Sequence, residues 1–308
     1  MSERDLGDGA QHETRIGILG GSGLYAMAAL EVHEERHLTT PFGEPSGPYV
    51  LGSIEGVGVA FLARHGAGHR LMPSELNFRA NIFGFKTLGV ERLLSVSAVG
   101  SMRERYAPRH IVVPDQMIDR TRHRPDTFFG DGMVAHVGFA DPVCPRLAET
   151  MTAAARSVGA TVHAGGTYVC MEGPQFSTRA ESNLYRSWGV DVIGMTNLQE
   201  AKLAREAEIC YATYAMVTDY DCWHESEEDV SVEGVVAILQ ENSRVGQQAV
   251  AEAVRRLADG GLEPPSGCPC CDALRFAIIT DPSVIPASTL RKLEPIVGRY
   301  FPPPTADS

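Results

Sequence analysis

With 308 residues, 44% hydrophobic and 21% charged, the chain has an ordinary folded composition and length enough for one large or two ordinary domains. A formal net charge of −12 excludes a general nucleic-acid binder, which needs a basic face, yet permits a small anion site built from a few Arg and backbone N–H groups. No run of about eighteen apolar residues exists, so no membrane span is expected, and seven scattered cysteines read as a cytoplasmic thiol set and not as a disulfide framework.

Residues 1–14 are charged and lack an apolar core, which reads as a disordered leader and not as a signal. Arg15 to Leu19 is a short strand that runs into Gly20-Gly21-Ser22-Gly23, where glycines let backbone N–H groups approach an anion and Ser22 adds a hydroxyl. A dinucleotide fold is the competing reading, but the glycine spacing is wrong for it, and no strand with an acidic end follows. A strand over 58–63 delivers Arg64 and His65, and Arg carries a donor fork suited to phosphate. Pro73 is expected to start a helix reaching Leu88. The strand from Glu91 to Val96 exits into Ser97-Ala98-Val99-Gly100-Ser101, and 111–115 is strand-like. A long polar loop from Arg120 to Pro142 holds His136. A helix over 145–158 and a strand over 167–171 lead to Glu172-Gly173-Pro174-Gln175-Phe176, where Phe176 is a hydrophobic staple or a stacking wall. Thr178 and Glu181 form a capping box for the next helix. The strand 191–194 ends in Met195-Thr196, a helix covers 199–208, and a buried strand from Ile209 ends at Asp219-Tyr220-Asp221. Two carboxylates at i and i+2 past a strand end can converge on one pocket, and they can equally cap a turn. A helix from Ser231 to Leu257 carries Val232, Val235, Val236 and Leu239 at helical spacing. No composition break precedes Gly260, so 15–260 reads as one domain, with 261–308 as a Cys/Pro-rich extension packed on it.

These motifs, in this order, resemble the trimeric purine nucleoside phosphorylase family over roughly Arg15 to Leu257, and within it the branch acting on 5′-methylthio nucleosides. The resemblance implies an α/β single domain with a mixed, partly barrel-like central sheet flanked by helices, assembled as a homotrimer. It implies small-molecule nucleoside and phosphate as ligands, with orthophosphate as co-substrate and no cofactor, nucleic acid or membrane. The phosphate site would be Ser22, Arg64, His65, Ser97, Ala98 through its N–H, and Thr196. Asp219 would act as the acid at the purine N7 and Asp221 would accept from a 6-amino group, with Phe176 as the aromatic wall. Met195, Val232 and Val236 would line the ribose and 5′ pocket, and His136 would reach in from the adjacent chain. Ser22 and Ser97 stand where relatives often carry Thr, which keeps the hydroxyl. Cys268-Pro269-Cys270-Cys271 has no partnering Cys or His cluster at ligand spacing, so no metal is expected there, and free thiols or a redox-labile pair both stay open. The alternatives are a broader purine nucleoside phosphorylase taking adenosine or inosine, and a nucleotide-binding module without turnover.

Overall fold

Alternate residues along the buried strands face opposite layers, which is the period-two pattern of a sheet covered on both sides. Ile16, Ile18, Val59, Phe61, Leu94, Val96, Ala212 and Tyr214 fall in one core cluster, whereas Leu19, Ala60, Leu62, Leu93 and Tyr211 fall in another. The computed structural model describes residues 14–21, 24, 27–225, 229–261 and 267–301. The expected leader, save Thr14, lies outside the described residues, as does Ser22.

Eleven strands form one mixed sheet: β1 (Ile16–Gly20), β2 (Leu30–Arg36), β3 (Tyr49–Ile54), β4 (Val57–Ala63), β5 (Arg92–Ser101), β6 (Ile111–Val113), β7 (Gln116–Arg120), β8 (Val162–Ala164), β9 (Thr167–Met171), β10 (Val192–Gly194) and β11 (Cys210–Asp219). The order is β2-β3-β4-β1-β5-β10-β9-β7, and a branch leaves β5 through β11 to β6 and β8. Helices α1 (Phe78–Thr87), α2 (Pro145–Ser157), α3 (Arg179–Ser187), α4 (Asn197–Glu206), α5 (Val232–Asp259), α6 (Ala287–Lys292) and α7 (Glu294–Val297) flank it. Residues of α2 and α5 pack into the first cluster, and residues of α1, α4, α6 and α7 into or against the second. The expected α/β architecture with a mixed central sheet is the one observed.

Local physics moves several boundaries. The helix expected from Pro73 starts instead at Phe78, because the Asn77 side chain caps it by accepting from Ala80 N–H, while Pro73–Glu75 makes a separate 3₁₀ turn. The Thr178 and Glu181 capping box is present on α3, and Ser231 caps α5 by accepting from Gly234 N–H. The strand expected to stop at Val96 continues to Ser101, since β11 pairs with it over Arg92 to Gly100.

That extension opens the site. On its other edge β5 pairs with parallel β1 only as far as Val96, and antiparallel β10 joins only at Gly100 and Ser101. Ser97, Ala98 and Val99 are therefore without a strand partner on this edge, which is the kind of crevice where α/β sheets place ligands. The Val96 carbonyl points to that edge and accepts from Gly21 N–H at 3.2 Å and Arg64 Nη1 at 2.9 Å. Peptide groups two residues apart face the same way, so the Ala98 N–H is aimed into the gap.

The tail lies on the second cluster through Leu274, Ala277, Ile285, Leu293, Ile296 and Val297. Ile278 bridges to Ala135, and His136 N–H donates to the Ala277 carbonyl at 2.8 Å.

Candidate active site

A cavity of about 630 Å³ occupies the β5 gap and brings together Arg64, His65, Ser97, Ala98, Phe176, Met195, Thr196, Asp219, Asp221, Val232 and Val236. His136 is exposed and lies outside the cavity of its own chain.

The two carboxylates converge, but strand alternation is not the cause. β11 has a register shift between Val217 and Asp219, and Asp221 sits past the strand end with φ +55°, a left-handed conformation that Asp tolerates. The turn is closed by the acid itself: Asp219 Oδ1 accepts from Asp221 N–H at 2.7 Å, and Oδ2 accepts from the Thr218 hydroxyl at 2.7 Å. Burial pushes the Asp219 pKa up to about 6 against the pull of these two hydrogen bonds, with the Asp221 charge adding a smaller upward push. Asp221 is 4% exposed, and burial raises its pKa too. Gly100 makes room for the pair, since a Cβ there would lie 2.8 Å from Asp219 Oδ1.

At the other end the Arg64 fork is not presented as expected. Nε and Nη2 face buried Glu200, Nη2 also donates to Ser95 Oγ at 2.7 Å, and both charged side chains are 1% exposed. Only Nη1, beside Gly21, remains turned to the glycine turn, so Arg64 serves the cavity through one nitrogen and not through a bidentate face. His65 Nδ1 donates to the Leu71 carbonyl at 2.8 Å, which leaves a lone pair on Nε2 in the neutral ring. Burial and the Arg64 charge push its pKa down to about 4, so the ring is neutral at pH 7. The Ser97 hydroxyl donates to Asn197 Oδ1 at 2.8 Å. Thr196 precedes α4 but its side chain does not cap it, and its own N–H donates to the Tyr168 hydroxyl at 3.5 Å. The Thr196 hydroxyl is left facing the cavity with no protein partner among the described residues.

Several residues that matter here escaped sequence reasoning. Glu200 and Asn197 on α4, with Ser95 and Tyr211, form the buried network behind Arg64 and Ser97. The only hint was an Asn and a Glu three residues apart on a helix with no exposed face. Arg124 ties the Glu172 and Met195 carbonyls together by donating to both. Met195 also packs on Gly173, where a Cβ would lie 2.6 Å from its sulfur.

Residues 15–257 match the family model described as the Phosphorylase superfamily. An S-methyl-5′-thioadenosine phosphorylase of Koribacter versatilis is 60% identical over 94% of this chain and 97% of its own length, and one of Geobacter sulfurreducens is 58% identical over 94% and 99%. Among solved structures, a methylthioadenosine phosphorylase from an antarctic soil metagenomic library is 50% identical, covers 93% of this chain and 99% of its own, and superposes with a TM-score of 0.87. The Schistosoma mansoni methylthioadenosine phosphorylase in complex with adenine is 35% identical over 86% and 99%, with a TM-score of 0.80. On the family match, the near full-length identity and a cavity lined by Arg64 and His65 at one end and by Asp219 and Asp221 at the other, the chain belongs to the phosphorylase superfamily.

Proposed function

We propose that the chain catalyses phosphorolysis of S-methyl-5′-thioadenosine to adenine and 5-methylthioribose 1-phosphate. The observation that carries this reading is Asp219, with its pKa raised to about 6, beside Asp221 and across one cavity from Arg64, His65 and Thr196. A phosphate oxygen attacks C1′ as the bond from C1′ to the purine nitrogen breaks, and the electron pair goes to the base. Asp219 delivers its proton to N7, so the base leaves neutral and the carboxylate is left charged. Asp221 accepts from the 6-amino group, which favours adenine-type bases. Arg64 Nη1, the Ala98 N–H, the Thr196 hydroxyl and Ser22 donate to the phosphate, and neutral His65 accepts from its hydroxyl through Nε2. Ser97 joins the donors by turning its hydroxyl away from Asn197.

Phe176 and Met195 wall the base and sugar. Val232 and Val236 are 68% and 44% exposed in the single chain, which suits a 5′ wall completed by another subunit of a homotrimer, with the partner subunit's His136 reaching in. An apolar wall of this size discriminates by about 1–3 kcal/mol per group, so adenosine remains a slower substrate. Seven free thiols fit a reducing cytoplasmic setting.

Asp219→Asn tests the assignment. Turnover on methylthioadenosine is expected to fall by about 10²- to 10⁴-fold, with substrate Kd changed only a few fold, and unchanged turnover would remove Asp219 from the reaction. Asp221→Asn shifts preference from methylthioadenosine towards methylthioinosine, and an unaltered ratio of kcat/KM would remove Asp221 from base recognition.

A further inference from the structure

The expectation that the tail cysteines have no partnering cluster is overturned by the fold. Cys144 and Cys210, single cysteines far away in sequence, meet Cys268 and Cys270, and all four sulfurs lie within 4.8 Å of one another and are buried. We propose that Cys144, Cys210, Cys268 and Cys270 form a structural zinc site that fastens the C-terminal extension to the domain.

The spacing is that of ligands and not of a crosslink. Cys144 Sγ is 3.8 Å from Cys268 Sγ, and Cys210 Sγ is 3.5 Å from it. A tetrahedral tetrathiolate with Zn–S bonds of about 2.3 Å has sulfur-to-sulfur edges of about 3.8 Å, whereas a disulfide closes to about 2.05 Å. Each ligand stands on an anchored segment. Cys144 precedes α2 and its N–H donates to the Tyr211 carbonyl, next to Cys210 at the start of β11, while the Cys268 carbonyl accepts from Cys271 N–H in a tight turn.

Four thiolates select a soft, tetrahedral ion over magnesium or calcium. Four thiols bind one Zn²⁺ and release four protons, which leaves a dianionic centre. Arg92, Arg146 and Arg256 line the small cavity that adjoins Cys144 and Cys210, Arg256 while paired with Glu252, so cationic side chains border the site and the cavity supplies an access path. A closed set of four protein ligands leaves no position for catalysis, so the ion is structural. What it holds is the segment whose Ile278 bridges Ala135, one residue before His136.

The test is the metal content of the full chain, purified without chelators after growth with added zinc. About one zinc per chain is expected, with the thiolate-to-metal charge-transfer and visible bands of a tetrahedral tetrathiolate after cobalt replacement. A mercurial should release that zinc to a colorimetric indicator. Cys268→Ser with Cys270→Ser should lower the zinc to about a tenth or less of the parent value, and Cys271→Ser should leave it in place. Less than about a tenth of a zinc per chain in the parent protein, no cobalt bands, or a disulfide among the four cysteines on non-reducing peptide mapping would each overturn the proposal. If the double variant fails to fold, the parent's metal content and cobalt spectrum still decide.

Discussion

In the proposed reaction Asp219 carries the proton the base must receive, and burial is what keeps it available. With a pKa raised to about 6, roughly a tenth of the free chain is protonated at pH 7. The required form is the acid, so kcat/KM on methylthioadenosine should fall by about tenfold per pH unit above about 6. Asp219→Asn should abolish that limb. His65, held down to about 4, stays neutral across the range and contributes no break. A wild-type profile flat from pH 6 to 8 would contradict the acid role. Gly100 gives a second, purely steric test. A Cβ there would lie 2.8 Å from Asp219 Oδ1 and 3.0 Å from Ile193 Cγ2. Gly100→Ala should therefore cost about 10- to 100-fold in kcat with an unchanged circular dichroism spectrum, and wild-type turnover would mean that the carboxylate need not sit where it does.

Helix α4 and strand β5 decide how the anion end is built. Arg64 and Glu200 are both 1% exposed, so Glu200→Gln strands a buried guanidinium. The expected loss is about 3–5 kcal/mol in denaturant unfolding, with a raised KM for phosphate, and a loss under about 1 kcal/mol would show the pair is not the support inferred here. Sequence reading reached Arg64 because it follows an apolar strand, yet could not foresee that its fork faces Glu200. A buried ion pair leaves no periodic mark in the sequence. For the same reason the Asp219 and Asp221 pair was legible at the end of the apolar run that became β11, while the bulge and left-handed turn that bring the two together were not. The capping box of α3 and the apolar stripe of α5 were legible because their signals are local. β2 was missed because six of its seven residues are exposed and mostly charged, and β8 is only three residues long. The four-cysteine cluster was illegible because two of its members are single residues that only the fold brings to the tail.

Across the whole molecule, one cavity wall stays open to solvent. Val232 and Val236 border the site while largely exposed, and Phe276 and Ile279, near the His136 segment, are 87% and 64% exposed. The proposed homotrimer, in which His136 reaches into the neighbouring site, would cover both, so sedimentation should give a trimer, and an active monomer would contradict the assembly and the borrowed histidine together. No helix among the described residues is long and apolar enough to cross a membrane. Phosphate-dependent release of free base from methylthioadenosine, adenosine and methylthioinosine, measured side by side, tests the proposed reaction most directly. Release that requires phosphate and favours methylthioadenosine over both others is the predicted result; release without phosphate, or a preference for methylthioinosine, would contradict the reading of the two ends of the cavity.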